Sequence, residues 1–284
     1  FVGKPIRVEN SLEMLLALKR TGIEHAKLDI GRITHEWSQT DDTADHWIMD
    51  HLGSFFKPTT LEPRDVILFG FGRIGRLLAR ELIVQEGSGH QLRLRGVSVR
   101  SIDAASLHKR ASLLKIDSVH GDFPGTITVD EENLALIING RPVYFIPAPD
   151  PTKADYTAYG INNALLIDNS GAFRDETALS KHLQGKGVDK VLLTAPGKGI
   201  PNIVHGVNQS DVTKSERIIS AASCTTNAIS PVLKVVNDHF GIERGHLETI
   251  HAYTNDQNLV DNMHSKYRRG RAAAMNMVIT ETGA

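Results

Sequence analysis

The chain has 284 residues, of which 40% are hydrophobic and 23% are charged, as is typical of a globular protein. Its 32 Lys and Arg residues balance 33 Asp and Glu residues, so net charge gives no reason to expect binding to nucleic acid or an anionic membrane. One cysteine excludes an internal disulfide and a zinc site built from several cysteines. That cysteine usage is typical of a reducing compartment, and we expect a cytoplasmic protein.

Helical periodicity characterises the first part of the chain. The segment SLEMLLALKR predicts a helix capped by Ser11, and a second helix is predicted over about 43–56. The apolar face of the first helix is predicted to contain Leu12, Met14, Leu15, Leu16 and Leu18. The segment KPTTLEPRD, with Pro58 and Pro63, predicts a linker. Residues 1–62 are therefore predicted to form a helical N-terminal extension.

Strands alternate with helices after the linker. The strand candidates are DVILF (65–69), LRLRGVSVR (92–100), the hairpin GTITVD and LALIING (125–140), ALLIDNSG (164–171), KVLLTAPG (190–197) and RIISAAS (217–223). Helices are predicted for RIGRLLARELIVQ, for residues around 104–115 and for NAISPVLKVVNDHFG, with Pro231 in the first turn of the last. This order predicts an α/β fold with a Rossmann-like, doubly wound, mostly parallel sheet over residues 63–222. After about residue 245, LETIHAYT is a further strand candidate.

A glycine-rich loop lies between the first strand and its helix. Gly70, Gly72 and Gly75, with Arg73 and Ile74 between them, form a GxGxxG motif. In this position the glycines allow a tight turn, close approach of the backbone to a pyrophosphate, and close helix–strand packing. An ordinary turn is the alternative, but the following alternation of strands and helices favours dinucleotide binding.

The end of the second strand bears on which dinucleotide is bound. An NAD-binding site usually has an acidic residue about 20 positions after the glycines. This chain has Arg100 and Ser101 there, followed by Asp103. Arg and a hydroxyl suit a 2′-phosphate, so NADP or both cofactors are weakly favoured over NAD alone. The alternative is that Arg100 is a solvated loop residue.

Cys224 lies among small and hydroxylic residues, between the strand candidate RIISAA and a helix. A lone cysteine is more often a packing residue, but a thiol at a helix N-terminus is stabilised as the thiolate. This turn also falls at the carboxyl end of a predicted parallel strand, where α/β proteins bind ligands. The position therefore favours a nucleophile.

Several motifs together resemble the phosphorylating glyceraldehyde-3-phosphate dehydrogenases. SCTTN is similar to the nucleophile signature of that family, and FGFGRIGR is similar to its cofactor loop. DSVHGDFPGTI, IHAYTNDQ, RRGRAAA and TETGA follow in family order. The resemblance covers about residues 64–284 and leaves the extension outside it.

The resemblance implies roles for individual residues. Cys224 becomes the nucleophile and His251 its general base, although His251 alone would more simply be a strand histidine. The resemblance implies two phosphate pockets, one from Ser223, Thr225, Thr282 and Gly283, and one from Thr254, Asp256 and Arg269. It also implies further cofactor contacts by Asn169, Ser170, Gly171 and Thr194. Without the resemblance, the arginines of RRGR would be a solvated loop or a basic nucleic-acid patch.

The chain departs from the family pattern at a few positions. The NAD-selective Asp aligns near Arg100, and a usual Leu-Pro pair appears as Asn262-Met263, which makes room for a 2′-phosphate. The second phosphate-binding Arg and the Asn that fixes the carboxamide fall beyond Ala284. The resemblance therefore implies that residues 223–284 begin an α+β catalytic domain that is incomplete and can be inactive by itself.

The resemblance implies oxidation of glyceraldehyde 3-phosphate to 1,3-bisphosphoglycerate, in glycolysis or gluconeogenesis, with NAD or NADP and inorganic phosphate. It also implies a homotetramer and no metal. One alternative is an erythrose-4-phosphate dehydrogenase, in which water replaces phosphate. The other is a non-catalytic nucleotide-binding regulatory protein whose extension binds a partner.

Overall fold

The computed structural model describes residues 5–22, 28–53, 63–85 and 92–280. The chain divides into two compact units, Phe1–Leu166 with Gly185–Asp189, and Ile167–Gln184 with Lys190–Ala284. The helices are α1 (Val8–Thr21), α2 (Ile30–Trp37), α3 (Ala44–Leu52), α4 (Arg73–Gln85), α5 (Ala104–Lys115), α6 (Glu176–Leu179) and α7 (Cys224–Phe240). Among the described residues, no helix is both long enough and apolar enough to cross a bilayer.

The first three helices share a small core of their own. Its buried residues are Met14, Ala17, Ile33, Trp37, Ala44, Trp47 and Ile48. Asp29 caps α2 by accepting from Arg32 N, and Thr43 caps α3 by accepting from His46 N. The helix predicted over about 43–56 is thus present as α3, whereas α2 was not predicted. Residues 54–56 and the predicted linker up to residue 62 lie outside the described residues.

Two expectations for α1 are wrong. The helix begins at Val8, so Ser11 lies inside it rather than at its cap. Only part of the predicted apolar face is buried, because the side of α1 that contacts the small core carries Met14 and Ala17. Leu12, Leu15 and Leu16 are exposed. Leucines occupy more than one side of this helix, so the apolar pattern alone does not identify the side that packs.

The strands are β1 (Arg64–Phe69), β2 (Leu92–Val99), β3 (Ile116–Asp117), β4 (Gly121–Asp122), β5 (Ile127–Asp130), β6 (Ala135–Ile138), β7 (Arg141–Pro147), β8 (Ala164–Asp168), β9 (Val188–Leu193) and β10 (Ile218–Ser220). In the first unit the sheet order is β8-β1-β2-β7-β6-β5. Strand β1 pairs in parallel with β2, and β2 with β7, whereas β5, β6 and β7 form an antiparallel meander. The predicted parallel sheet and hairpin are confirmed.

Burial explains why these strands were predictable. Val66, Ile67 and Leu68 of β1 are fully buried, as expected for a strand covered on both faces. In the second unit the order is β10-β9-β8, with β10 parallel to β9. The division between the units passes through β8 and β9, so each unit contains part of these strands.

The segment after β10 differs from expectation in two ways. Helix α7 begins at Cys224, three residues earlier than the predicted segment, so Pro231 lies in the helix interior and not in its first turn. The strand predicted for 247–254 is absent, and these residues are extended and exposed. A strand requires a hydrogen-bonded neighbour, and no described strand pairs with this segment.

Candidate active site

A strained turn leads from β10 to the cysteine. Ala222 has φ 58°, in the left-handed region that non-glycine residues rarely occupy. The fully buried Ser220 holds this turn, because its hydroxyl accepts from Ala222 N at 3.0 Å and contacts Ala195 O at 2.6 Å. Strain of this kind persists only where surrounding contacts hold it, and it is common at functional sites. Sequence analysis missed Ser220, although a serine inside an apolar strand is an unusual residue to bury.

The first turn of α7 fixes the position of Cys224. Ser223 is the N-cap, and its hydroxyl accepts from Thr226 N at 3.0 Å. The Asn227 amide donates to Ala221 O at 2.7 Å and to Ser223 O at 2.8 Å, which joins the turn to the helix. The structure therefore gives Ser223 a capping role, while its contact with a phosphate stays a prediction. Asn227 is a further residue that sequence analysis did not single out.

The thiol and the imidazole lie within hydrogen-bonding distance. Cys224 Sγ is 3.1 Å from His251 Nε2, and the cysteine is exposed. His251 Nδ1 lies 2.6 Å from Ala252 O. Because a carbonyl oxygen only accepts, Nδ1 carries a proton, and Nε2 is left to exchange a proton with the sulfur. This arrangement is that of a nucleophile activated by an adjacent base.

The electrostatics of the pair favour charge separation. The hydrogen bond with His251 lowers the pKa of the Cys224 thiol; burial opposes this with a smaller effect, and the backbone N–H and hydroxyl of Thr225 lower the pKa by still smaller amounts. The same hydrogen bond raises the pKa of His251. The thiolate therefore forms at a lower pH than in a free cysteine, and the imidazolium persists to a higher pH than in a free histidine. Both shifts favour the thiolate–imidazolium form of the pair over its neutral form.

A surface pocket of about 370 Å³ lies beside the pair. It is lined by Cys224, Thr225, Ala228, Ile229 and residues 247–251. The lining combines apolar side chains with the thiol, the imidazole and the polar side chains of Thr225, Glu248 and Thr249. The pocket can accommodate a small polar substrate with its reactive carbon at the sulfur.

The second group of predicted phosphate residues is also brought together. Arg269 forms an ion pair with Asp256 and donates from Nη2 to Thr280 Oγ1 at 3.0 Å. Thr254 Oγ1 accepts from Asp256 N at 3.4 Å. The hydrogen bond that Arg269 donates to the Asp256 carboxylate lowers the pKa of Asp256. Thr280 was not predicted, and the predicted Thr282 and Gly283 lie outside the described residues.

The glycine loop has the geometry of a dinucleotide site. Gly70 has φ 99°, and its N–H donates to Ser98 O at 2.9 Å, which links the loop to β2. A Cβ added at Gly72 would meet no atom within 4 Å, so the backbone there is open to a ligand. Arg73 begins α4, and the helix N-terminus favours anions. These features fit the pyrophosphate of a dinucleotide. Of the remaining loop residues, Ile74 is exposed and Gly75 is buried.

The residues after β2 include two exposed polar side chains and one helix cap. Arg100 and Ser101 are both exposed at the end of the strand. Asp103 instead caps α5, because its carboxylate accepts from Ser106 N at 2.7 Å, and this contact lowers the pKa of Asp103. Its carboxylate is therefore engaged in the helix cap.

The loops after β8 and β9 are joined at one buried residue, Asp168, through its carboxylate and its backbone carbonyl. Asp168 Oδ1 accepts from Ser170 N at 2.9 Å and from Ser170 Oγ at 2.7 Å. Asp168 O accepts from Thr194 N at 3.0 Å. Asp168 Oδ2 lies 2.8 Å from Nε2 of the fully buried His182. Sequence analysis missed this Asp168–His182 pair, which fixes two of the predicted cofactor-binding residues.

Among the described residues, the side-chain hydrogen bonds of two further predicted cofactor residues, Asn169 and Asn262, are local. Asn169 Nδ2 donates to Ile167 O at 3.3 Å, and Gly171 has φ 75°. Asn262 Oδ1 accepts from Met263 N at 2.8 Å. Their cofactor contacts stay predictions. Among the residues described, no group of three or more His, Cys, Asp or Glu residues could hold a metal ion.

Two sequence models of one protein family match the chain. The model described as "Glyceraldehyde 3-phosphate dehydrogenase, NAD binding domain" matches residues 64–176. The model described as "Glyceraldehyde 3-phosphate dehydrogenase, C-terminal domain" matches residues 223–284. The chain belongs to the glyceraldehyde-3-phosphate dehydrogenase family. The second match begins at Ser223, the residue that caps the helix of Cys224.

Individual members of the glyceraldehyde-3-phosphate dehydrogenase family are similar to the chain to different extents. A "Glyceraldehyde-3-phosphate dehydrogenase-like protein" of Pseudomonas aeruginosa is 50% identical over 285 residues, covering 98% of the chain and 62% of the relative. The glyceraldehyde-3-phosphate dehydrogenase of Zymomonas mobilis is 39% identical over 77% of the chain and 62% of its own length. The glyceraldehyde-3-phosphate dehydrogenase of Thermotoga maritima is 40% identical over 77% of the chain and 63% of its own length. The chain thus spans under two thirds of the length of these relatives.

Proposed function

We propose that the protein is a nicotinamide-dependent aldehyde dehydrogenase that oxidises glyceraldehyde 3-phosphate and takes up inorganic phosphate. The observation that carries this proposal is the 3.1 Å contact between Cys224 Sγ and His251 Nε2 at the start of α7. Membership of the family and the glycine loop at β1 support it. The catalytic roles of the individual residues are part of the proposal.

The reaction begins at the sulfur. The Cys224 thiolate attacks the aldehyde carbon, and a sulfur–carbon bond forms as the carbonyl π electrons move to oxygen. His251, protonated at Nε2 in the ion pair, gives that proton to the oxygen as the hemithioacetal forms and takes it back when the carbonyl re-forms. Backbone N–H groups at the start of α7 stabilise the developing negative charge.

A nicotinamide held at the glycine loop would supply the hydride acceptor for oxidation of the hemithioacetal. What remains on Cys224 is a thioester, which inorganic phosphate attacks to give the acyl phosphate and to restore the thiolate. Two oxyanion groups are therefore held near one sulfur. We propose Thr225 for one of them and the Thr254–Arg269 region for the other, where guanidinium and hydroxyl donors lie together.

The activity of the Cys224→Ser variant tests this mechanism. We expect the rate of glyceraldehyde 3-phosphate oxidation to fall by about 10⁴-fold or more, because the hydroxyl is a much weaker nucleophile. Binding of NADH, measured by fluorescence, should be unchanged, and Ser210→Ala serves as an exposed control. An active Cys224→Ser variant contradicts the mechanism, as does a full-length wild-type protein that binds the cofactor without oxidising the aldehyde. A rate independent of phosphate contradicts the phosphorylating step.

We also propose that NADP is accepted beside NAD. Exposed Arg100 and Ser101 support this, together with the engagement of Asp103 in the α5 cap. Arg100→Ala should raise the KM for NADP by roughly tenfold or more, because an ionic hydrogen bond is lost, and should leave the KM for NAD unchanged. Equal effects on both cofactors would exclude a contact of Arg100 with the 2′-phosphate.

The domain organisation and assembly are proposals as well. We propose a helical extension over residues 1–62, a nucleotide-binding domain over 63–222, and the start of a catalytic domain over 223–284. The separate core of α1, α2 and α3 supports the first boundary. A homotetramer is proposed from the family resemblance.

A further inference from the structure

Helix α1 presents a second apolar face that its own core does not use. Val8, Leu12, Leu15 and Leu16 are 78%, 55%, 47% and 47% exposed. The three leucines follow Val8 by four, seven and eight positions, which places all four side chains on one stripe that spans about 100° around the helix axis. Met14 and Ala17, both fully buried, lie on the other side of the helix.

The exposed stripe cannot turn inward, because α1 is fixed on α3. Arg20 donates to Asp45 from Nε at 3.0 Å and from Nη2 at 2.5 Å, a bidentate contact between the two helices. Met14 and Ala17 belong to the core formed with Trp37, Trp47 and Ile48. A rotation that buried Leu12 would break this contact and expose Met14. The stripe is therefore available for a contact outside the three-helix core.

The charges at the two ends of α1 indicate what covers the stripe. Glu9 lies in the first turn and Lys19 in the last turn, and neither forms an ion pair with another described residue. A second α1 in antiparallel orientation would set Leu12 against Leu15 of the second copy. Val8 would then meet the aliphatic stem of Lys19 of the second copy, whose ammonium group would lie near Glu9. A parallel orientation would instead place like charges together at both ends.

We propose that α1 is a homotypic docking helix, which pairs with α1 of a second copy of this chain in antiparallel, two-fold orientation. The contact is isologous, as two-fold interfaces between identical chains are. Four apolar side chains from each helix bury less than the ~800 Å² per partner of a standard interface. The pairing therefore depends on protein concentration and adds to any other contact between subunits.

The first arm of the test removes the apolar stripe. We expect the Leu12→Glu/Leu16→Glu variant to have about half the mass of the wild type at the same concentration, measured by sedimentation equilibrium. The matched control, Leu259→Glu/Val260→Glu, changes two exposed apolar residues elsewhere and should keep the wild-type mass. Trp37 and Trp47 are the only tryptophans, so tryptophan emission reports whether the three-helix core remains folded.

The second arm tests the antiparallel orientation. Glu9→Lys alone and Lys19→Glu alone should each lower the fraction of paired chains, because like charges then meet. The double variant Glu9→Lys/Lys19→Glu should restore it. A wild-type mass that the Leu12→Glu/Leu16→Glu variant leaves unchanged overturns the proposal, and so does an equal loss in the control. If the double variant Glu9→Lys/Lys19→Glu does not restore pairing, the antiparallel arrangement is overturned. If the wild-type chain binds lipid vesicles and does not self-associate, the stripe is assigned to a membrane surface instead.

Discussion

The sheet around the glycine loop and the segment that carries His251 are built in opposite ways. Val66, Ile67 and Leu68 of β1 are fully buried between paired strands. Of residues 224–280, only Gly270 and Ala273 are buried, and α7 has no buried residue. The cofactor loop therefore has a rigid support within this chain, while the Cys224–His251 pair depends on a few local hydrogen bonds. A catalytic residue can thus be well placed by a turn even where the surrounding core is sparse.

Hydrogen exchange gives the largest contrast between the two regions. Amides of β1 and β2 should exchange at least about 10³-fold more slowly than those of residues 242–253, because opening the sheet requires most of the free energy of unfolding. Among the described residues, no N–H of 242–253 donates to a backbone carbonyl. Mass spectrometry after deuterium labelling measures both segments in one sample. Equal protection would show that residues 242–253 are paired as a strand.

Removing one hydroxyl tests the support of the cysteine turn. Ser220→Ala should lower the free energy of unfolding by about 1–3 kcal/mol, because the N–H of buried Ala222 loses its acceptor. Urea denaturation of this variant should be compared with Ser210→Ala, whose exposed side chain predicts a change within about 0.5 kcal/mol. If the two variants were equally stable, Ser220 would not be what holds the turn.

The same contrast explains what could be predicted from sequence. Strands β1 and β8 were recognisable because each contains a continuous apolar run that its neighbours bury. The segment 247–254 has a similar pattern, but no described strand pairs with it, and so it is not a strand. The apolar sequence pattern indicates which side chains a segment can bury, but it does not indicate whether a neighbouring strand is present to pair with it.

The candidate site was partly predictable for a related reason. Cys224 and the glycine loop carry local signals, and His251 was found through the family resemblance. Ser220 and the Asp168–His182 pair were missed because their importance comes from contacts between residues 14 to 25 positions apart. Asn227 was missed although its contacts, to Ala221 and Ser223, are local.

The central claim is that Cys224 and His251 form a thiolate–imidazolium pair, and iodoacetamide alkylation tests it directly, since the protein has one cysteine. The reactivity of wild-type protein should rise with pH through a pKa below the ~8.5 of a free cysteine, because the lowered pKa of Cys224 leaves the thiolate present at lower pH. In His251→Asn this midpoint should move up towards the free value, with Ser210→Ala unchanged. Identical profiles for wild type and His251→Asn, both centred at or above the value of a free cysteine, would contradict the account.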